Sequence, residues 1–221
     1  MVNAVQIQNK INFGYKKVAK VTGDQYDWFR PNLALAPIGA ESYIGTIQAQ
    51  FATDFGMHFI RPAEFSSAAI WFGSFNPQPP SPGDYVIGEM GTFYVMDVER
   101  FTAVQCIWCN TQVSLTRASS SLPAGASPTY WGEEATDGSP ILTGWPASVR
   151  QLGSGMKMRG TGMGLPSDAP LPAYQILLPP SLPVPVNWND FVTDGNGRKF
   201  VASTVESTPL GWRISAEMWP S

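Results

Sequence analysis

Glycine and proline constrain this chain more than any other feature. Together, 21 Gly and 20 Pro fill nearly a fifth of its 221 residues. That is too much punctuation for a helical bundle, and it lacks the triplet period of a collagen. After Arg30-Pro31, short apolar runs alternate with Gly/Pro/Ser clusters, the pattern of small antiparallel sheets. Strands are expected at 42–51, 68–72, 84–87, 92–98 and 105–114, then at 149–152, 173–178, 191–193, 199–205 and 212–218. In the last of these Trp212, Ile214, Ala216 and Met218 fall on one face, and Arg213, Ser215 and Glu217 on the other. Residues 76–83 carry four prolines and read as an exposed connection, because proline cannot feed a central ladder.

One helix is expected, over 3–21. Val5, Ile7, Ile11, Tyr15 and Val18 recur at spacings of mainly three and four, with Lys10, Lys16, Lys17 and Lys20 mostly off that face. Gly23 is placed to close the helix in the left-handed conformation. The expected organisation is a helix and arm (1–30), a first β-domain (31–117), a Pro/Gly/Ser-rich linker or arm (118–145) and a second β-domain (146–221). The fold class is therefore mainly β: an N-terminal helix followed by two small antiparallel barrel- or sandwich-like domains.

Self-comparison gives an internal echo. Gly83-Asp84-Tyr85-Val86 through Gly91 to Tyr94-Val95 matches Asn189-Asp190-Phe191-Val192 through Gly197 to Phe200-Val201 at one offset. Each copy reads as a hairpin with a glycine at the reversal. Two readings stand: hairpins converging on a common pattern, or two related β-domains in tandem with Tyr85 and Phe191 in equivalent core positions.

The chemistry-bearing residues are sparse. Cys106 and Cys109 form a single C-x-x-C with strand-like flanks and no second pair, so zinc is not expected and the two thiols should face opposite sides of one strand. His58 is the only histidine and has apolar neighbours. No nucleophile elbow, Walker lysine or dinucleotide fingerprint is present. Asp97, Glu99 and Glu206 are carboxylates that nothing in the sequence brings together, and Glu133, Glu134 and Asp137 read as solvated charge. No catalytic residue, cofactor or metal is expected. A net charge of −3 argues against a dedicated nucleic-acid binder. The N-terminus lacks a secretory apolar run and no stretch reaches membrane-spanning length, so a soluble, cytosolically made chain is expected.

Two groups of residues suit partners. Residues 1–30 hold five basic residues (Lys10, Lys16, Lys17, Lys20, Arg30) against Asp24 and Asp27, while the remainder of the chain balances at −6. This is either the solvated face of an amphipathic helix or a docking helix for an acidic partner. Tyr130, Trp131 and Trp145 lie in a stretch with little else to bury, so they read as anchors on the chain's own domain or on a neighbouring subunit.

Several motifs occur in one order: Phe13-Gly14-Tyr15-Lys16-Lys17-Val18-Ala19, Gln25-Tyr26-Asp27-Trp28-Phe29-Arg30-Pro31, Gly83-Asp84-Tyr85, Gly91-Thr92-Phe93, Cys106-Ile107-Trp108-Cys109-Asn110, Trp145-Pro146-Ala147-Ser148-Val149 and Leu210-Gly211-Trp212-Arg213. In that order they resemble a family of tailed-bacteriophage structural proteins, with Trp28-Phe29 in place of its usual tyrosine and no counterpart to 118–140. The C-terminal part is similar to small barrels of head-closure and head-to-tail joining proteins. The resemblance implies a virion structural protein: a ring-forming homo-oligomeric connector or adaptor at the neck or tail, with portal, tail or neck proteins as partners. Capsid decoration, a tail tube or fibre attachment is the alternative, and a virion-associated glycan hydrolase a more distant one.

Overall fold

The computed structural model describes residues 3–53, 69–117, 138–152 and 173–219. His58, Tyr130, Trp131, the 133–137 carboxylates and the Gly/Met-rich stretch after 153 lie outside the described residues. One helix, α1 (Ala4–Thr22), precedes twelve strands. These are β1 (Asp24–Phe29), β2 (Tyr43–Ala52), β3 (Ile70–Asn76), β4 (Tyr85–Gly88), β5 (Gly91–Asp97) and β6 (Val104–Cys109), then β7 (Thr111–Arg117), β8 (Ser139–Gln151), β9 (Ala173–Leu178), β10 (Phe191–Asp194), β11 (Lys199–Thr208) and β12 (Gly211–Met218).

The strands close into two six-stranded antiparallel barrels, ordered β1-β2-β3-β6-β5-β4 and β7-β8-β9-β12-β11-β10. Raising each strand number of the first by six reproduces the second, so the echo extends to the whole topology. Local detail repeats as well. A bulge between Val95 and Asp97 recurs between Ala202 and Thr204. Val95 N donates to Asp84 O, and Ala202 N to Asp190 O. The hairpin turns differ by one residue: Gly88 pairs directly with Gly91, whereas Gly197 N closes on Asp194 O within a longer reversal. Phe93 therefore corresponds to Phe200, one place away from the sequence match. Tyr85 and Phe191 are equivalent but lie on outer faces. The inward residues are Val86 and Val192.

Each barrel is also locked by the same clasp. Asp84, with its side chain 2% exposed, receives both Nε and Nη2 of Arg30 at 2.8 Å, Trp28 Nε1 at 2.9 Å and Ser81 N at 2.9 Å. Asp190 receives Arg117 Nε at 2.8 Å, Arg117 Nη2 at 2.7 Å and Asn187 N at 2.7 Å. In both, an arginine ending the first strand of a barrel grips an aspartate opening the fourth.

The division between barrels falls at Asn110, not at 118. β1 closes the first barrel rather than belonging to an N-terminal arm, and the single strand expected at 105–114 is two strands, β6 and β7, in different barrels. Asn110 stitches the crossing: its side chain donates to Val149 O (2.7 Å) and accepts from Val149 N (2.8 Å), extending the ladder of β8. The expected linker is part strand, since β8 starts at Ser139. Pro140, Gly144 and Pro146 disguise it, and the β7–β8 ladder admits them through register shifts beside Leu115.

The first barrel is filled by an aromatic core in which Phe51 stacks on Phe93 at 3.9 Å. The second barrel's core, built around Trp145, Leu115, Ile176, Phe200 and Ile214, is continuous with an outer row of the first barrel: Ile70, Tyr85, Tyr94, Met96, Ile107 and Cys109. The two barrels thus share buried apolar surface, and Tyr85 donates across it to Pro146 O at 2.7 Å.

The helix starts with a capping box, Asn3 and Gln6, and ends at Gly23. Gly23 is extended (φ −86°) rather than left-handed. Its need for glycine is close approach: a Cβ would collide with Ala19 O and lie 2.8 Å from Ala49 O.

Candidate functional site

α1 rests on β2 and β3 through one narrow row, Gln8, Ile11, Tyr15 and Ala19, of which only Ala19 is fully buried. This corrects the expected face. Ile11 and Tyr15 do turn inward, but Val5 (62% exposed), Ile7 and Val18 face outward. Asparagine and glutamine supply part of the contact instead. Gln8 Oε1 accepts from Phe101 N at 2.9 Å, and Gln8 Nε2 donates to Asn12 Oδ1 at 2.8 Å. Beneath the helix, Asn12, Tyr15 and Lys16 face Phe75, Glu99 and Val104 across a cleft of about 300 Å³. Burial raises the Tyr15 phenol above its ordinary value. Phe101, at the rim, holds a left-handed φ of 66°, rare for an aromatic residue.

Lys10, Lys16, Lys17 and Lys20 are all exposed on α1, and the helix carries no carboxylate. Among the described residues the ion pairs use arginines: Arg30–Asp84, Arg117–Asp190, Arg198–Asp194 and Arg213–Glu206. Trp145 is not a partner anchor. It lies fully buried in the second barrel, and its Nε1 donates to Ala34 O at 2.7 Å. Exposed large apolar side chains concentrate elsewhere. Of thirteen among the described residues, five are on α1 (Val5, Ile7, Phe13, Val18, Val21) and four on the stretch from Leu33 to Ile44 (Leu33, Leu35, Tyr43, Ile44).

The groups with chemical potential are dispersed. Cys106 points into the first barrel and Cys109 into the layer against the second, on opposite faces of β6 as expected. Both thiols are raised by burial and stay protonated near neutral pH. Glu206 is taken by Arg213, while Asp97 ends β5 in the other barrel and accepts from Val98 N. Tyr85 and Tyr94 lie fully buried between the barrels, and desolvation pushes both phenols well above the ordinary range. Among the described residues no group of three His, Cys, Asp or Glu side chains is placed to hold a metal ion.

The sequence names Arg30 and Asn110 within motifs but gives no sign of the clasp made by Arg30 and Arg117 or of the ladder made by Asn110. Asp84 and Asp190 lie in the echo, but Arg30 and Arg117 fall outside it because the connections between corresponding strands differ in length. Fold and surface define a tandem-barrel body bearing a basic, apolar, largely uncovered helix. No family model, characterised protein or solved structure matches the chain. No described helix is long and apolar enough to cross a membrane.

Proposed function

We propose that this protein is a structural component of a tailed-bacteriophage virion, acting as a ring-forming head-to-tail connector or adaptor at the neck or tail. Its partners are then copies of itself and portal, tail or neck proteins. One observation carries the assembly role: among the described residues, nine of thirteen exposed large apolar side chains sit on two segments, α1 and the stretch from Leu33 to Ile44. Apolar surface concentrated in this way is poorly placed on a free monomer and is covered when a subunit has neighbours on both sides. The ordered motifs from Gly14-Tyr15 to Leu210-Gly211-Trp212-Arg213 supply the phage context.

The test is location. Particles purified from the source of this gene should contain the chain in a fixed low copy number, and a reconstruction should place it as a ring at one vertex. Copies arrayed on the capsid lattice or along the tail would replace the connector role with decoration or tube building. Absence from particles, or release of reducing sugar from cell-wall glycan by the purified chain, would remove the structural reading.

A further inference from the structure

Two surfaces of this chain fit one another. The first is a seam on α1. Ala4, Ile7, Ile11, Gly14, Val18 and Val21 follow in alternating steps of three and four, the spacing of a helix face that meets a partner. The chain's own barrel touches α1 along one edge of this seam, through Gln8, Ile11, Tyr15 and Ala19, so Ile11 is shared, while Val21 stays 72% exposed. Gly14 lies mid-seam with open space where a Cβ would sit. Glycine weakens a helix, and nothing among the described residues requires it there. Close approach of a partner is the use a seam glycine serves. Lys10 and Lys17 border the seam on the side away from the barrel.

The second surface is the β1–β2 connection with the two residues that open β2, where Leu33, Leu35, Tyr43 and Ile44 are exposed. Its backbone is fixed in advance. Arg30 N donates to Ser42 O (2.7 Å), and Ala34 O receives both Thr143 N and Trp145 Nε1. Its charge is acidic: Glu41 and Asp27 are exposed, no lysine occurs between residues 24 and 46, and Arg30 is committed to Asp84.

We infer that α1 of one copy docks on the β1–β2 connection of the next, with the seam on Leu33, Leu35, Tyr43 and Ile44, and Lys10 and Lys17 toward Glu41 and Asp27. The inference rests on the ring-subunit reading and names the surfaces that would build the ring. The surfaces are unlike and separately placed: α1 leans on β3 and on β2, where it ends beside Ala49, whereas the second surface joins the connection, held by β8, to the first two residues of β2. Contacts between unlike surfaces repeat head to tail and close into a ring when the rotation allows. Pairing of α1 with another α1 is disfavoured, because an antiparallel pair would oppose Lys10 and Lys17.

Sedimentation equilibrium of the full-length protein, over a range of concentration and salt, tests this. Val21→Asp and Ile44→Asp should each weaken self-association by about tenfold or more, and together by little more, since both break one contact. Lys17→Glu and Glu41→Lys should each weaken it at low salt, and the double reversal should restore it to within about threefold of the parent. Unchanged circular dichroism would show that these exposed positions leave the fold intact. Association insensitive to Val21→Asp and Ile44→Asp, no rescue by the double reversal, or a monomer even at about 1 mM would overturn the pairing. Location in the particle is read independently, so a chain found in a neck ring despite such results would leave the virion reading standing with a different contact.

Discussion

Replacing Arg30 with alanine strands a carboxylate. Asp84 is 2% exposed and would keep two neutral donors, Trp28 Nε1 and Ser81 N, but lose the cation paired with it. Breaking a buried pair from one side costs about 3–5 kcal/mol. The two remaining donors, and the half-exposed position of Arg30, place the expected loss near the lower end, about 3 kcal/mol. Asp84→Ala acts differently. Arg30 is already 51% exposed and can turn into water, so the loss comes from unsatisfied donors, at about 1–3 kcal/mol. The double variant no longer holds an unpaired buried charge. It should therefore be more stable than the sum of the single losses predicts, by about 2 kcal/mol. The second barrel provides an internal replicate, because Arg117 and Asp190 repeat the geometry at 2.7–2.8 Å. Urea unfolding followed by tryptophan fluorescence and by far-UV circular dichroism measures all six variants. Because the barrels share a continuous core, both probes should report one transition. Losses below about 1 kcal/mol for both arginine variants, or strict additivity in both double variants, would refute the view that these clasps hold the barrels closed.

Other perturbations have separate readouts. Trp145→Ala should cost about 3–5 kcal/mol in the same unfolding assay, because it empties the second core and removes one of the two donors to Ala34 O. Gly23→Ala should loosen α1, seen as faster hydrogen exchange over 4–22, since the new methyl meets Ala19 O and Ala49 O. Gly14→Ala meets nothing and should slow that exchange, stabilising the helix by about 1 kcal/mol. Alkaline pH should destabilise the fold. Burial, with Asp24 and Glu89 adding to it, pushes the Tyr26 phenol up to about 12 from 10.0. The folded state thus keeps a proton that the unfolded chain releases, and the urea midpoint should fall as pH rises past about 10, with the Tyr26 contribution complete above about 12. A midpoint constant from pH 9 to 11 would contradict that assignment.

The legible part of this fold was the part governed by period and punctuation. Residues 173–178 were located to the residue, and 92–98 and 212–218 to within one, because alternating apolar residues end there at glycine, proline or charge. The fold class, a helix followed by two small antiparallel barrels, was legible, but the pairing that closes each barrel was not. Closure depends on pairings such as β1 with β4 and β7 with β10, between strands far apart in sequence. The boundary at Asn110 was hidden because β6 and β7 are separated by one residue and read as a single apolar run. At the candidate site the lysines were correctly seen as exposed, but the helix face was misjudged. Periodicity selects the most apolar stripe, whereas contact with β2 and β3 selects Gln8 and Ala19 as well. Trp145 was misread because its flanks, Gly144 and Pro146, are residues usually found between strands rather than inside one.

The two barrels match at inward positions and differ on their exteriors, and packing explains both. Each barrel must fill its own lumen, so the inward pairs match: Val86 with Val192, and Phe93 with Phe200. The outward residues on the same strands answer to whatever lies beside them. In the first barrel Tyr85, Tyr94 and Met96 face the second barrel and are completely buried. Their counterparts Phe191, Val201 and Ser203 face no third barrel among the described residues. Phe191 rests against Trp219 at 5.5 Å and stays partly open, and Ser203 is exposed and bonds Ser215 O. The sequence echo is therefore strongest at the aspartate, the inward valine and the turn glycine, which serve each barrel alone. It fades at positions that serve the contact between barrels, because that contact is made once and the barrel is made twice.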